Sequence, residues 1–221
     1  MTIAEATFQL IRRMPFMEEA MSQGLINLSS LARKIQPDIT HLTGKPANEG
    51  AIIMALKRMD LSQVWSVNRA LESFIKKLGD LVVRSNLVDY VYQNSDTLYD
   101  RQVELIHRFA ARPKVFYSFS QGVYESTFII SDAVGQEVDE LFAAEVLLKK
   151  TADLAAVTIM LPPINTEVYG IYYYILRAIA WQGINLVEII STSNEFTLVV
   201  QRADIDALFT VLMKLKTSSG M

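Results

Sequence analysis

The pattern of apolar and polar positions changes near Gly79. Before it, apolar residues recur every three to four positions, the period of amphipathic helices. After it, β-branched and aromatic runs alternate with helical stretches. Residues 1–78 are therefore predicted to form a helical domain, with helices from about Ile3 to Ile11, 16–23, 29–35, 49–59 and 62–77.

Residues 79–150 are predicted to contain strands and helices in the order β-α-β-β-α-β. The strands are DLVVRSNLVDYVYQN, KVFYSFS, VYESTFIIS and a short VLLKK, and the helices are DRQVELIHRFAAR and AVGQEVDELFAAE. A similar order follows in 151–221, with the strands DLAAVTIMLP, INLVEIISTS and EFTLVVQR and the helices TEVYGIYYYILRAIAWQG and DIDALFTVLMKLK. A repeat of roughly 65–70 residues predicts an α+β fold with two ferredoxin-like βαββα(β) units after the helical domain.

Composition excludes several classes of protein. The chain of 221 residues is 51% hydrophobic and 20% charged, which is enough to bury a core in one large domain or two to three small ones. The net charge of −3 gives no general attraction for nucleic acid. The absence of cysteine excludes disulfides and thiolate sites and is typical of a reducing compartment. No apolar run approaches a membrane span and no secretory signal pattern opens the chain, so we expect a cytoplasmic protein without membrane contact.

The second repeat carries recognisable short motifs. Gly170 opens its first helix, Gly183-Ile184-Asn185 enters a strand, Ile190-Ser191-Thr192-Ser193 ends that strand, and Asp204-Ile205-Asp206 opens the last helix. With these motifs, residues 152–216 resemble an ACT domain, most closely the regulatory ACT domains of aspartokinases. The first repeat shares only the order of elements, and residues 1–78 do not resemble an aspartokinase catalytic domain.

The resemblance implies that a free amino acid binds beside the loop between the first strand and first helix, at an interface between ACT units of a homo-oligomer. A helix N-terminus presents unpaired N–H groups to a carboxylate, and a nearby acidic side chain can hold an ammonium group. Many family members have proline before the glycine, where this chain has Tyr169, which either fills or lines the pocket. The candidate ligand-binding residues are Asn165, Thr166, Glu167, Tyr169, Gly170, Ile171, Asn185, Ser191 and Ser193.

Two of these polar clusters also have simpler interpretations. Ser191, Thr192 and Ser193 are compatible with a hairpin turn whose hydroxyls bond to the local backbone. In the first repeat, the equivalent loop contains Asn94, Ser95, Asp96 and Thr97, which either cap the following helix or form a second ligand site.

Catalytic chemistry has no candidate residues in the sequence. His41 and His107 lie far apart, and there is neither a phosphate-binding Gly-x-x-x-x-Gly-Lys-Ser/Thr loop nor a Gly-x-Ser-x-Gly elbow. We therefore expect no enzyme activity, no metal and no cofactor other than an amino-acid effector.

The helical third has a weak helix-turn-helix pattern. The first helix of this pattern contains SSLARKI and is capped by Ser29 or Ser30. A connection over Gln36–Ala47 follows. The second helix would present Asn48, Lys57 and Arg58 to DNA. The connection is longer than usual, and residues 1–60 carry seven basic against six acidic side chains, which is not a basic stripe. A helical packing or dimerisation domain is the alternative.

These features predict a non-catalytic ACT-domain regulatory protein that binds an amino acid and transmits its presence to the helical domain. Two alternatives remain open at this point: an ACT-linked, DNA-binding transcriptional regulator, and a dimerising interaction protein without ligand.

Overall fold

The computed structural model describes residues 1–14, 16–110, 112 and 114–218. The chain divides into two compact units, Met1–Leu71 and Glu72–Met221. The domain boundaries predicted after residues 78 and 150 stay a prediction.

The first unit is built from helices around an aliphatic core. Thr2 and Glu5 form a reciprocal capping box at the start of the first helix. The helices are α1 (Ile3–Arg12), α2 (Met17–Ser22), α3 (Leu28–Thr43), α4 (Glu49–Lys57) and the start of α5 (Ser62–Ile75). Their buried core consists of Ala6, Ile11, Leu31, Ala32, Ile35, Ile39, Ala47, Ile52 and Leu56.

Helix α3 differs from its prediction at both ends. Its N-cap is Asn27, whose side chain accepts a hydrogen bond from the Ser30 backbone, rather than Ser29 or Ser30. The helix also continues through Pro37 to Thr43, so that the connection to α4 covers only residues 44–48. Ile35 and Ile39 are both fully buried, and we infer that their packing keeps the helix intact across the missing N–H of Pro37.

The second unit contains one antiparallel sheet of six strands among the described residues, in the order β2-β3-β1-β4-β6-β5. Its strands are β1 (Leu81–Gln93), β2 (Tyr117–Gln121), β3 (Glu125–Ser131), β4 (Leu147–Met160), β5 (Glu188–Ser191) and β6 (Glu195–Gln201). Its remaining helices are α6 (Leu98–Phe109), α7 (Gly135–Leu141), α8 (Ile171–Ala180) and α9 (Ile205–Ser218). The predicted α+β class is confirmed, and the order βαββα occurs twice.

The two strands predicted as VLLKK and DLAAVTIMLP are halves of the single strand β4, so the prediction of separate strands is wrong. β4 pairs with β1 through the centre of the sheet, with register shifts near Leu87. Asn86 in β1 and Asp153 in β4 both have φ of 57°. Asn and Asp tolerate this left-handed conformation better than most residues, so the chain makes a bulge at each position and the strand continues.

Each long strand consequently serves both repeats. The second half of β1 pairs with β3, whereas its first half pairs only with β4. The second half of β4 pairs with β6, whereas its first half pairs only with β1. The two βαββα repeats are thus related by an approximate two-fold axis between β1 and β4.

One face of the sheet packs against helices. In the first repeat this core is aromatic: the Phe142 ring centroid lies 5.1 Å from that of Tyr92 and 5.0 Å from that of Phe128. In the second repeat it is mostly aliphatic, and its buried residues include Val157, Ile159, Ile175, Ile179, Phe196, Leu198, Val200, Leu208 and Leu212.

The opposite face, here called the open face, carries a smaller apolar cluster of Leu87, Ile129, Leu154, Ala156 and Val199. Asp89 points to this face, because its neighbours Val88 and Tyr90 belong to the helix-side core. Its side chain is 3% exposed, and its Oδ1 has no hydrogen-bond partner among the described residues. Burial, reinforced by the Glu188 carboxylate and opposed by Lys149, raises the pKa of Asp89 to about 6.

Replacing Asp89 with Asn is expected to remove a pH-dependent loss of stability. The folded protein holds the Asp89 proton more tightly than the unfolded chain, whose ordinary pKa is 3.8. The wild type should therefore lose about 3 kcal/mol of unfolding free energy relative to Asp89→Asn as pH rises from about 3 to about 7. Urea unfolding of both proteins across this range measures the difference.

Asp153→Asn is the matched control, because Asp153 is exposed and forms a surface ion pair with Arg202 at 3.4 Å. Asn also tolerates the left-handed backbone at that position. Parallel pH curves for the wild type and Asp89→Asn would contradict the prediction.

Candidate functional site

The loop between β4 and α8 is fastened to the hairpin between β5 and β6 by Asn165. Pro162 and Pro163 start a 3-10 turn, Pro163–Thr166, that brings this side chain to the hairpin. Asn165 Nδ2 donates to the Ser193 carbonyl at 2.6 Å and to the Pro162 carbonyl at 3.1 Å. Asn165 and Ser193, both candidates from the sequence, are therefore in contact.

The hairpin is also in contact with the first turn of α8. The hydroxyls of Tyr172 and Ser191 lie 2.9 Å apart, and the Tyr172 ring centroid lies 4.7 Å from that of Phe196. Sequence reasoning did not include Tyr172 in the site. The available signal was its position one residue into the helix whose start lies beside the Ser191 strand.

The three consecutive hydroxyl residues, Ser191 to Ser193, do form the exposed end of a hairpin. The Thr192 N–H donates to the Glu195 carbonyl at 2.9 Å. Ser191 uses its hydroxyl to reach Tyr172, and Ser193 contributes its carbonyl to Asn165. These bonds give the turn a structural role, which is compatible with a ligand on its outer surface.

Helix α8 starts at Gly170, with φ of 82° and ψ of 10°. A residue with a Cβ would be strained in this conformation. Among the described residues no side chain caps the helix, whereas Ile171 behind its start is buried at 4% exposure. The N–H groups of Ile171 and Tyr172 and the positive end of the helix dipole are thus suited to an anion.

Of the other candidates of this group, Thr166, Glu167 and Tyr169 lie in the loop before the helix start, whereas Asn185 lies beyond the C-terminal end of α8, so the structure does not bring it to Gly170. Thr166, Glu167 and Asn185 are exposed, and Tyr169 is 81% exposed. Tyr169 therefore does not fill the space in front of Gly170. We call the surface formed by Asn165, Glu167, Gly170, Tyr172 and Ser191 the hairpin site.

The equivalent loop of the first repeat uses most of its polar groups internally. Ser95 and Thr97 each donate to the Glu145 carboxylate at 2.6 Å, which lowers the pKa of Glu145. The Ser95 hydroxyl also accepts from the Leu98 N–H at 3.1 Å. Asp96 is exposed. The Ser95 contacts are those of a helix cap.

Asn94 repeats the arrangement of Asn165. Its Nδ2 donates to the Gly122 carbonyl in the β2–β3 hairpin at 2.9 Å, and its Oδ1 accepts from the Ser126 hydroxyl at 2.6 Å. In both repeats, an asparagine after the first strand thus bonds to a carbonyl of the hairpin turn. In each repeat this asparagine therefore holds the loop after the first strand against the hairpin.

The residues proposed for DNA contact lie at the two ends of α4. Asn48 is its N-cap and accepts from the Gly50 N–H at 2.8 Å, whereas Lys57 and Arg58 are exposed at its C-terminal end. Asn48 is therefore occupied by capping.

The described residues contain no group of three or more His, Cys, Asp or Glu side chains able to hold a metal ion. None of their helices is both long and apolar enough to cross a membrane.

Comparison with known proteins gives matches of fold alone. No family model matches the sequence, and neither does any curated protein. The regulatory subunit of aspartate kinase from Thermus thermophilus matches with a TM-score of 0.51 and 12% identity, over 62% of this chain and 97% of the subunit. This chain contains the fold of an aspartate kinase regulatory subunit.

Two other structures agree with this assignment. The aspartate kinase of Clostridium acetobutylicum matches with a TM-score of 0.51 and 14% identity over 62% of this chain, which spans only 34% of that enzyme. A structure of aspartokinase alpha and beta subunits matches with a TM-score of 0.51 and 12% identity, over 62% of this chain and 97% of that one. The resemblance to aspartokinase regulatory domains is confirmed as one of fold, whereas membership of the ACT family stays a prediction.

Asn165→Asp is expected to destabilise the second unit more than Asn165→Ala does. Alanine removes the bonds that Nδ2 donates to Ser193, Pro162 and Asn194, at a cost of about 1 kcal/mol, whereas aspartate places a carboxylate against those acceptor oxygens. Urea unfolding at neutral pH measures the order of the three proteins. Asn185→Asp is the control for added charge, since Asn185 is exposed. Equal stability of the two Asn165 variants would show that the donated bonds do not position the loop.

Proposed function

We propose that this protein is a non-catalytic regulatory module of the ACT type, which binds an amino acid at the hairpin site and transmits its occupancy to the helical unit. The observation that carries the proposal is the match over 97% of an aspartate kinase regulatory subunit, a protein that is itself separate from a kinase domain. A chain with this fold can therefore act in regulation without phosphotransfer.

The hairpin site has complementary groups for the two charged ends of an amino acid. The N–H groups at the start of α8, which no side chain caps, suit the α-carboxylate. Glu167, exposed three residues before Gly170, suits the α-ammonium group. Tyr169 remains for the amino-acid side chain.

A second copy of the chain is proposed to complete this site. The hairpin site is an open surface, and large apolar side chains around it are exposed: Tyr169 by 81%, Ile164 by 44% and Tyr173 by 40%. An interface with another ACT unit would cover these side chains and enclose the ligand. Homo-oligomerisation is thus part of the proposed mechanism.

The main alternative is a dimerising interaction protein whose site no longer takes a ligand. It is favoured by the bonds that already occupy Asn165, Ser191 and Tyr172. We do not propose DNA binding, because the Asn48 side chain is used as the cap of α4.

One of the twenty amino acids is expected to raise the melting temperature of the purified protein. A ligand at about 100 times its dissociation constant adds roughly 2.7 kcal/mol, which corresponds to about 5–10 °C for a chain of this size. Glu167→Gln should abolish the shift, and Glu125→Gln, which neutralises an exposed carboxylate of the first repeat, should keep it.

The alternatives give different results in the same experiment. No shift with any amino acid, together with a dimer in light scattering, would favour the interaction protein. A shift that survives Glu167→Gln would place the ligand elsewhere than the hairpin site.

A further inference from the structure

The first half of β1 has a partner strand on one side only. Residues 81–84 pair with β4, whereas β3 pairs with β1 only from Leu87 onward. Among the described residues, the other side of residues 81–86 is therefore a free edge of the sheet. Val82 and Val83 are 42% and 49% exposed at this edge. A strand with unpaired backbone groups and exposed apolar side chains is a template for another strand.

A second free edge, in the first half of β4, has protection that the edge of β1 lacks. This half of β4 pairs only with β1, and it carries the exposed side chains of Lys149 and Lys150. Lysine on an edge strand opposes pairing with another chain, because its charge would have to leave water. Residues 81–86 contain neither lysine nor proline. The edge of β1 is thus the one suited to a partner.

The backbone groups that face this free edge can be assigned from the ladder with β4. The Met160 N–H donates to the Asp80 carbonyl at 3.0 Å, which continues the register of Leu81 opposite Ile159. In an antiparallel ladder, the N–H and C=O groups of alternate residues point to the same side. Those of Val82 therefore point to β4, and those of Leu81 and Val83 point to the free edge.

Two opposite charges lie along the same edge. Asp80 and Arg84 are four residues apart, so their side chains are on the same face of the strand. Both are exposed, and neither has an ion-pair partner among the described residues. The Arg84 guanidinium lies over the Phe116 ring at 5.2 Å from its centroid. The edge therefore offers one unpaired carboxylate and one guanidinium to a partner.

A second copy of the chain complements this edge in one antiparallel register. If Val82 lies opposite Val82 of the other copy, Leu81 lies opposite Val83 and Asp80 lies opposite Arg84, each twice because the pairing has two-fold symmetry. Leu81 and Val83 then exchange backbone hydrogen bonds across the interface, and Asp80 and Arg84 form cross-strand pairs of opposite charge. In the neighbouring registers that keep the faces matched, Asp80 no longer lies opposite Arg84.

We propose that two copies of this protein associate through residues 80–84 of β1, which pair antiparallel about a two-fold axis at Val82. The partner is a second copy because the charges on this edge complement themselves when the strand is reversed. The pairing covers Val82 and Val83 and joins the sheets of the two copies edge to edge. It uses none of the residues of the hairpin site and needs no amino acid, so it goes beyond the function proposed above.

Sedimentation velocity of the 221-residue protein is the test. The wild type should form dimers at micromolar concentration, and high salt should weaken them because the charged pairs lie at the surface. Asp80→Arg and Arg84→Asp should each raise the dissociation constant of the dimer by about tenfold or more, because each change places two pairs of like charge across the interface.

An equimolar mixture of these two variants should form dimers again. In a mixed dimer, both cross-strand pairs once more join opposite charges, whereas a variant that had only lost stability would not be restored by the other. Val83→Pro should also weaken the dimer, since it removes an N–H that faces the free edge and none that bonds to β4. Lys149→Asp, a charge reversal on the other free edge, should dimerise as the wild type does.

The proposal is overturned if the wild type is monomeric at micromolar concentration, or if the mixture associates no better than either variant alone. Dimers that persist in Asp80→Arg and Arg84→Asp but dissociate in Tyr169→Arg would place the interface at the hairpin site and overturn it as well. Because no amino acid is added, failure of this proposal is distinguishable from failure of the proposed amino-acid binding.

Discussion

The antiparallel pairing of β1 with β4 is the interaction on which the second unit depends. These strands lie at the centre of the sheet, and every other strand attaches to one of them directly or through a neighbour. Their bulges at Asn86 and Asp153 let each strand serve two repeats while keeping its apolar side chains on the correct faces. The helix-side cores, the open-face cluster and both hairpins take their positions from this pairing.

The two repeats share one polar contact and differ in the residue at one buried position. Asn94 and Asn165 both bond to a carbonyl of the hairpin that follows, so this contact belongs to the architecture. Asp89 and Ala156 occupy equivalent positions, but only one repeat has an acid there. Because Ala156 is fully buried in the open-face cluster, packing at this position does not require an acid.

Much of the fold could be predicted from local sequence patterns. The alternation along β1 and the helical period of α8 depend on neighbouring residues, and both elements were predicted near their observed positions. The continuity of β4 could not be predicted, because the polar segment before Leu154 has the composition of a turn and becomes a strand only through pairing with β1. The helix through Pro37 was missed for a similar reason, since tertiary packing overrides a local helix breaker.

The candidate site was predicted less completely than the fold. Asn165 and Ser193 were identified from the sequence, whereas Tyr172 was not, because its partners Ser191 and Phe196 come from a later part of the chain. The sharing of β1 and β4 between repeats also has a consequence for folding. Neither repeat contains its complete sheet until two strands far apart in sequence have met, so the second unit is expected to fold as one cooperative whole with a slow, non-local nucleation step.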